Sequence, residues 1–153
     1  MPTTTDRIER QISIRAPRAK VWRALADAES FGTWFGVALQ GKHFVAGQSC
    51  EGNITYPGYE HLVWKVVVER IEPERLLSFR WHPYAVDPHA DYSHEPTTLV
   101  EFMLEDSADG TLLRLVESGF DAIPASRRTE AFRMNSQGWD AQMKNIDGYV
   151  ASH

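Results

Sequence analysis

The segment from Ser126 to His153 contains no proline and repeats its apolar residues at helical intervals. With about 100° of rotation per residue, Phe132, Trp139, Met143, Ile146 and Val150 fall on one narrow stripe. A helix patterned this way buries its stripe against another element. The rest of the chain must therefore supply a long apolar surface. The C-terminal half of the stripe is wholly apolar, whereas Arg128, Asn135 and Ser136 fall on or beside its N-terminal half. One half packs dry; the other lines something wetter, either a pocket wall or the solvent margin. Gly138 costs about 1 kcal/mol relative to alanine inside a helix, which implies close approach of another backbone, or a bend.

The matching surface lies between Val37 and Ser118, where the hydrophobic period changes to two. Segments 37–44, 49–56, 62–71, 75–81, 98–105 and 111–118 read as strands. They are separated by the turn signals Ala46-Gly47, Pro57-Gly58, Glu72-Pro73-Glu74 and Asp109-Gly110. Such short connections permit only antiparallel neighbours. One face carries Trp64, Val66 and Val68, then Leu77, Phe79 and Trp81, then Val100, Phe102 and Leu104, then Leu113 and Leu115. The alternate positions, among them Lys65, Glu69, Ser78, Arg80, Glu101 and Arg114, suit a solvated face. A one-sided sheet and a one-sided helix bury each other.

The remaining elements come first in the chain. A polar tail, Met1 to Asp6, is expected to be loose. Ile8, Arg10, Ile12 and Ile14 alternate as in a strand, and Ala16-Pro17 ends it. Val21, Trp22, Leu25 and Ala26 then predict a short helix over 17–27, with proline in its first turn. Ala28 to Gly36 reads as another turn or two of helix broken at Gly32, carrying Phe31, Trp34 and Phe35 as core anchors or as the rim of a pocket.

With 16 basic and 21 acidic residues among 153, the net charge is −5, and no arginine-lysine cluster offers nucleic acid a local foothold. One cysteine, Cys50, cannot close an internal disulfide. No apolar run approaches the ~20 residues of a membrane span, and no signal-peptide pattern opens the chain. A reducing, cytoplasmic setting without membrane insertion is the expectation. No linker or repeat divides the chain, so a single domain over 7–152 is expected.

Several local signatures carry a family resemblance. They are Ile14-Arg15-Ala16-Pro17 with Val21-Trp22, Phe31-Gly32-Thr33-Trp34-Phe35, and Glu72-Pro73-Glu74-Arg75-Leu76 before Phe79-Arg80-Trp81. Gly110 to Leu115 with Glu117-Ser118-Gly119-Phe120, and Gly138-Trp139, complete the set. From about Arg7 to Val150 the chain resembles a START-like (SRPBCC), birch-pollen-allergen-like helix-grip domain of the group named after the activator of Hsp90 ATPase homologue. The resemblance implies an α+β fold: a curved antiparallel sheet gripping a long C-terminal helix, two short helices after the first strand, and an apolar cavity between sheet and helix. It does not imply the activity in the group's name. ATPase-stimulating members carry an additional N-terminal domain for which the first strand, beginning by Ile8, leaves no room, so a chaperone partner is not expected.

In such a cavity Trp34, Leu77, Phe79, Trp81, Phe102, Leu115, Phe132 and Trp139 would surround a ligand, with Arg128, Asn135 or Ser136 as polar anchors. The same side chains could instead meet and leave no void. Strand alternation with Leu113 and Leu115 points Glu117 inward, where its carboxylate needs a partner such as Arg128, an exit at the strand end, or a raised pKa. The connection from His82 to Pro96 holds His82, His89 and His94 with Asp87, Asp91 and Glu95, but the spacing matches no compact metal motif. A loop closing over the cavity mouth is the favoured reading, with no metal and no cofactor. Cys50 lacks a basic neighbour, Ser118-Gly119 lacks a hydrolase elbow, and no phosphate or dinucleotide loop is present.

The functional expectation is binding of a hydrophobic small molecule. The alternatives are a cyclase- or dehydratase-like enzyme on an aromatic or polyketide-like substrate, with a buried acid or His82 moving a proton, and a chaperone-associated interaction protein. A homodimer is left open.

Overall fold

The computed structural model describes residues 6–87 and 89–153. Most of the expected N-terminal tail lies outside them. The order is β1 (Arg7–Ile14), α1 (Arg18–Ala26), α2 (Ala28–Phe35), β2 (Ser49–Asn53), β3 (Val63–Glu72), β4 (Leu76–Trp81), β5 (Thr98–Ser107), β6 (Gly110–Ser118), a 3-10 turn (Phe120–Ala122) and α3 (Ala125–Ser152). The strands form one sheet in the order β1-β6-β5-β4-β3-β2, antiparallel throughout. The first and last strands are thus neighbours, and α3 follows β6 back across the apolar face. The described residues form the α+β helix-grip architecture.

The register puts the apolar set on one side. Val68 lies opposite Phe79, Phe79 opposite Val100, and Phe102 opposite Leu115, and all five side chains are fully buried. Each contributes about 1.5–3 kcal/mol of burial. A register shift between Val68 and Arg70 bends β3 and adds to the curvature of the sheet. Ser78 departs from the solvated-face expectation and is buried. It stands between Arg70 and Glu101 in the register.

Segment 37–44 is not a strand. It makes one isolated bridge, Val37 to Ile54, and then sends Leu39 and Phe44 into the core. Its alternation records that burial rather than a ladder. Two glycines make the crossing possible: a Cβ at Gly32 would lie 2.3 Å from Val37 O, and one at Gly52 would lie 2.2 Å from Ala38 O. Gly32 accordingly does not break α2, which is capped by Asp27 at its start and by Gly36, at φ 98°, at its end.

Helix α3 buries Ala131, Trp139, Met143, Ile146 and Val150. Phe132 sits at the edge of this stripe, packed edge-on against Phe120 at 5.1 Å. Gly138 is not a point of close approach, since a Cβ there would meet no atom within 4 Å, and α3 continues through it.

Candidate functional site

Glu117 occupies the inward position of β6 predicted by alternation, and it is fully buried. Arg128 is not its partner; that guanidinium donates to Ile123 O at 3.0 Å. The carboxylate is held instead by neutral donors from three elements. From the end of β4, Trp81 Nε1 donates to Oε2 at 2.7 Å. From the start of β5, Thr98 Oγ1 donates to the same oxygen at 2.6 Å. From α3, Trp139 Nε1 donates to Oε1 at 2.8 Å, and Asn135 Nδ2 lies 3.1 Å from both oxygens. Burial pushes the Glu117 carboxyl above its ordinary range, while the four donors pull the other way.

The donors stand at the border of two concavities. The larger, about 370 Å³, lies among Ile54, Leu62, Trp64, Trp81, Tyr84 and Val86, with Lys65, His82 and Asn135 as its polar members. The smaller, about 150 Å³, lies among Phe35, Trp81, Met134, Gly138, Trp139 and Gln142, and again Asn135. Trp81 and Asn135 belong to both. Trp64, at the wall of the larger cavity, keeps a buried indole N–H with no acceptor among the described residues.

Of the residues expected around a ligand, the fold brings together Trp81, Glu117, Asn135 and Trp139. Leu77, Phe79, Phe102 and Leu115 lie deeper and are fully buried. Phe79 and Phe102 belong to an aromatic cluster centred on Phe31, which fills the inner part of the space between sheet and helices. Trp34 joins that cluster and donates its indole N–H to Ala24 O at 2.8 Å. Arg128 and Phe132 sit by the 3-10 turn and line neither concavity. Ser136 faces β1, where its hydroxyl accepts from Arg10 Nη2 at 2.7 Å.

The loop after β4 forms one wall of the larger cavity through Tyr84, Val86 and Tyr92. It is tied to α3 by Arg127, a residue that sequence reasoning passed over. Arg127 Nε and Nη2 both lie 2.7 Å from Glu95 Oε1, Nη1 donates to Pro83 O at 2.7 Å, and the guanidinium lies over the Tyr92 ring at 4.8 Å. Arginine's fork can make several such bonds at once. His82 Nε2 lies 3.1 Å from Glu95 O, and because a carbonyl only accepts, the proton sits on Nε2. Among the described residues, no group of three or more His, Cys, Asp or Glu side chains converges as a metal site. Burial raises the Cys50 thiol pKa, which disfavours the thiolate needed of a nucleophile.

A curved antiparallel sheet gripping a long C-terminal helix, with concavities at one end of their interface, defines a START-like helix-grip domain. The model of the family described as activator of Hsp90 ATPase homolog 1-like protein matches residues 15–151, and the chain belongs to this family. None of the curated proteins matches it significantly. Solved structures of the same fold include protein MLL2253 from Mesorhizobium loti, 22% identical, with TM-score 0.71 over 95% of this chain and 97% of that one. A protein from Arthrobacter aurescens is 15% identical, with TM-score 0.75 over 97% of this chain and 88% of that one. DynU16, a protein of the dynemicin biosynthetic locus, is 22% identical, with TM-score 0.71 over 95% of this chain and 47% of its own. No helix among the described residues is long and apolar enough to cross a membrane.

Proposed function

We propose that the chain binds a hydrophobic small molecule between α3, the β3–β4 end of the sheet and the loop after β4. The observation that carries this reading is the sharing of Trp81 and Asn135 by two adjoining, largely apolar concavities. The larger, about 370 Å³, falls in the range of about 300–1,000 Å³ usual for such sites. A few polar groups at its wall, Asn135, His82 and the unpartnered Trp64 N–H, would orient a guest. Leu77, Phe79, Phe102 and Leu115 would support the site from behind. Native mass spectrometry of the purified protein, followed by denaturing extraction, tests the reading. A bound species of a few hundred daltons is expected. A bare chain mass, together with no thermal shift across a panel of lipophilic compounds, would overturn it.

A cyclase- or dehydratase-like activity on an aromatic or polyketide-like substrate is the second reading. It is favoured by His82, whose Nε2 is committed to Glu95 O so that Nδ1 remains a base at the wall of the larger cavity. That DynU16 comes from a biosynthetic locus is in keeping with it. The arms separate on His82→Gln: turnover lost while ligand affinity persists supports the enzyme, and an unchanged turnover excludes this role for His82.

A further inference from the structure

Three side chains bordering the smaller concavity, Trp81, Asn135 and Trp139, each turn an N–H toward Glu117. Their other sides determine what a guest meets. The indole and amide nitrogens can only donate, and the Thr98 hydroxyl completes the set, so every partner is satisfied when the carboxylate is ionised. Charge-assisted bonds of this kind polarise their donors. Each indole gives its N–H to an anion, which leaves more electron density on its ring face, the part that attracts a cation. With its Nδ2 on Glu117, the Asn135 amide leaves Oδ1 free of any donor among the described residues. The Phe35 ring adds a third aromatic face, 6.0 Å from Trp139 and 6.1 Å from Trp81.

Among the described residues, no charged side chain borders this smaller concavity. Lys65 and His82 border only the larger one, and the guanidinium of Arg127 is engaged by Glu95. The carboxylate's bonded partners are all neutral. When ionised, the carboxylate is a buried negative charge with no cation bonded to it, directly behind an aromatic wall. The volume of about 150 Å³ equals roughly five waters at about 30 Å³ each, enough for a small substituted ammonium head.

We infer that the ligand is an apolar molecule bearing an organic ammonium group, its head against the stacked pair Trp81 and Trp139 in the smaller concavity and its apolar body in the larger. This rests on the binding reading above and adds the sign of the ligand's charge. It gives Glu117 a role that needs no contact with the guest: the carboxylate acts through the rings and the amide it holds.

The test uses decyltrimethylammonium, decanoate and decanol as probes, below their aggregation limits, in isothermal titration calorimetry at about pH 8. The ammonium is expected to bind at least about tenfold tighter than decanoate. Its advantage over decanol should shrink in Glu117→Gln. Gln142→Lys, which keeps Glu117 and adds a positive charge at the groove on the surface of α3, should shrink it too, and serves if the first variant does not fold. Decanoate binding as tightly as the ammonium, or an advantage that both variants leave intact, would overturn the charge assignment while decanol binding upheld the cavity. Failure of all three probes would overturn the binding reading itself.

Discussion

The indoles of Trp81 and Trp139 stack at 5.7 Å with their planes 24° apart, and each donates its N–H to a different oxygen of Glu117. Neither ring can turn without giving up both the stack and its bond to the carboxylate. The β4 end and the middle of α3 are thereby fixed to each other at the border of the two concavities, and any guest there meets a preorganised wall.

Glu117→Gln would place an amide NH₂ where an indole or amide N–H now finds an oxygen. At least one buried donor then loses its acceptor, a cost of about 1–3 kcal/mol, read by chemical denaturation. The pH dependence has a definite sign. A carboxyl raised by burial binds its proton more tightly in the folded chain than in the unfolded one. Its contribution to stability is complete below the unfolded value and lost as pH rises through the folded value. The advantage of the wild type over Glu117→Gln should therefore decline upward from about pH 4.5. An advantage that grew over that interval would contradict the burial argument.

Gly138→Ala should raise stability by about 0.5–1 kcal/mol, because the residue is inside α3 and a Cβ there has open space around it. Gly138→Leu should instead fill part of the smaller concavity and weaken binding of decyltrimethylammonium. Denaturation midpoints and calorimetry separate the two effects. A fall in stability for the alanine variant would count against the open-space geometry.

Arg127→Met keeps the aliphatic stem and removes the tie between α3 and the loop. Hydrogen bonds to charged groups contribute about 1.5–3 kcal/mol each, so amide exchange in segment 82–96 should quicken by about tenfold or more while the core strands keep their protection. Unchanged loop protection would show that Tyr84 and Tyr92 hold the loop without the arginine.

Gly52→Ala would put a methyl carbon 2.2 Å from the Ala38 carbonyl oxygen, a backbone contact that cannot be relieved by a side-chain rotation. A loss of at least about 1–3 kcal/mol is expected. Gly58→Ala, with φ 91° and no atom within 4 Å of the added carbon, isolates the conformational cost alone and should lose about 1 kcal/mol.

Periodicity reports the direction of a side chain, and that much of the site was legible. Alternation turned Glu117 inward, and helical stepping set Asn135 and Trp139 on the side of α3 that meets it. Periodicity does not report which side chains meet. Arg128 was the natural partner by charge, but it reaches back to Ile123, and the neighbouring Arg127, one step of about 100° round the helix, turns to the loop instead. Thr98 begins β5 in phase with Val100, Phe102 and Leu104, so alternation put it on the buried face, but nothing in the pattern marked its hydroxyl as a partner of Glu117. The strand reading of segment 37–44 shows the reverse error. Leu39 and Phe44 are buried like strand residues, but whether a backbone joins a ladder depends on its neighbour, and only Val37 reaches one.

The donors around Glu117 come from residues 81, 98, 135 and 139, on β4, β5 and α3, so the set closes only after the hairpins have formed and the last helix has come down on them. The separations are only 18–36 residues, but the set needs all three elements in place at once, and its bonds are expected to form after the transition state. Loosening them is expected to speed unfolding while barely slowing folding, and stopped-flow kinetics of Glu117→Gln would show the change in the unfolding arm alone. The buried carboxylate would then act as a latch on an already folded sheet, governing how long the finished molecule lasts rather than how quickly it is made.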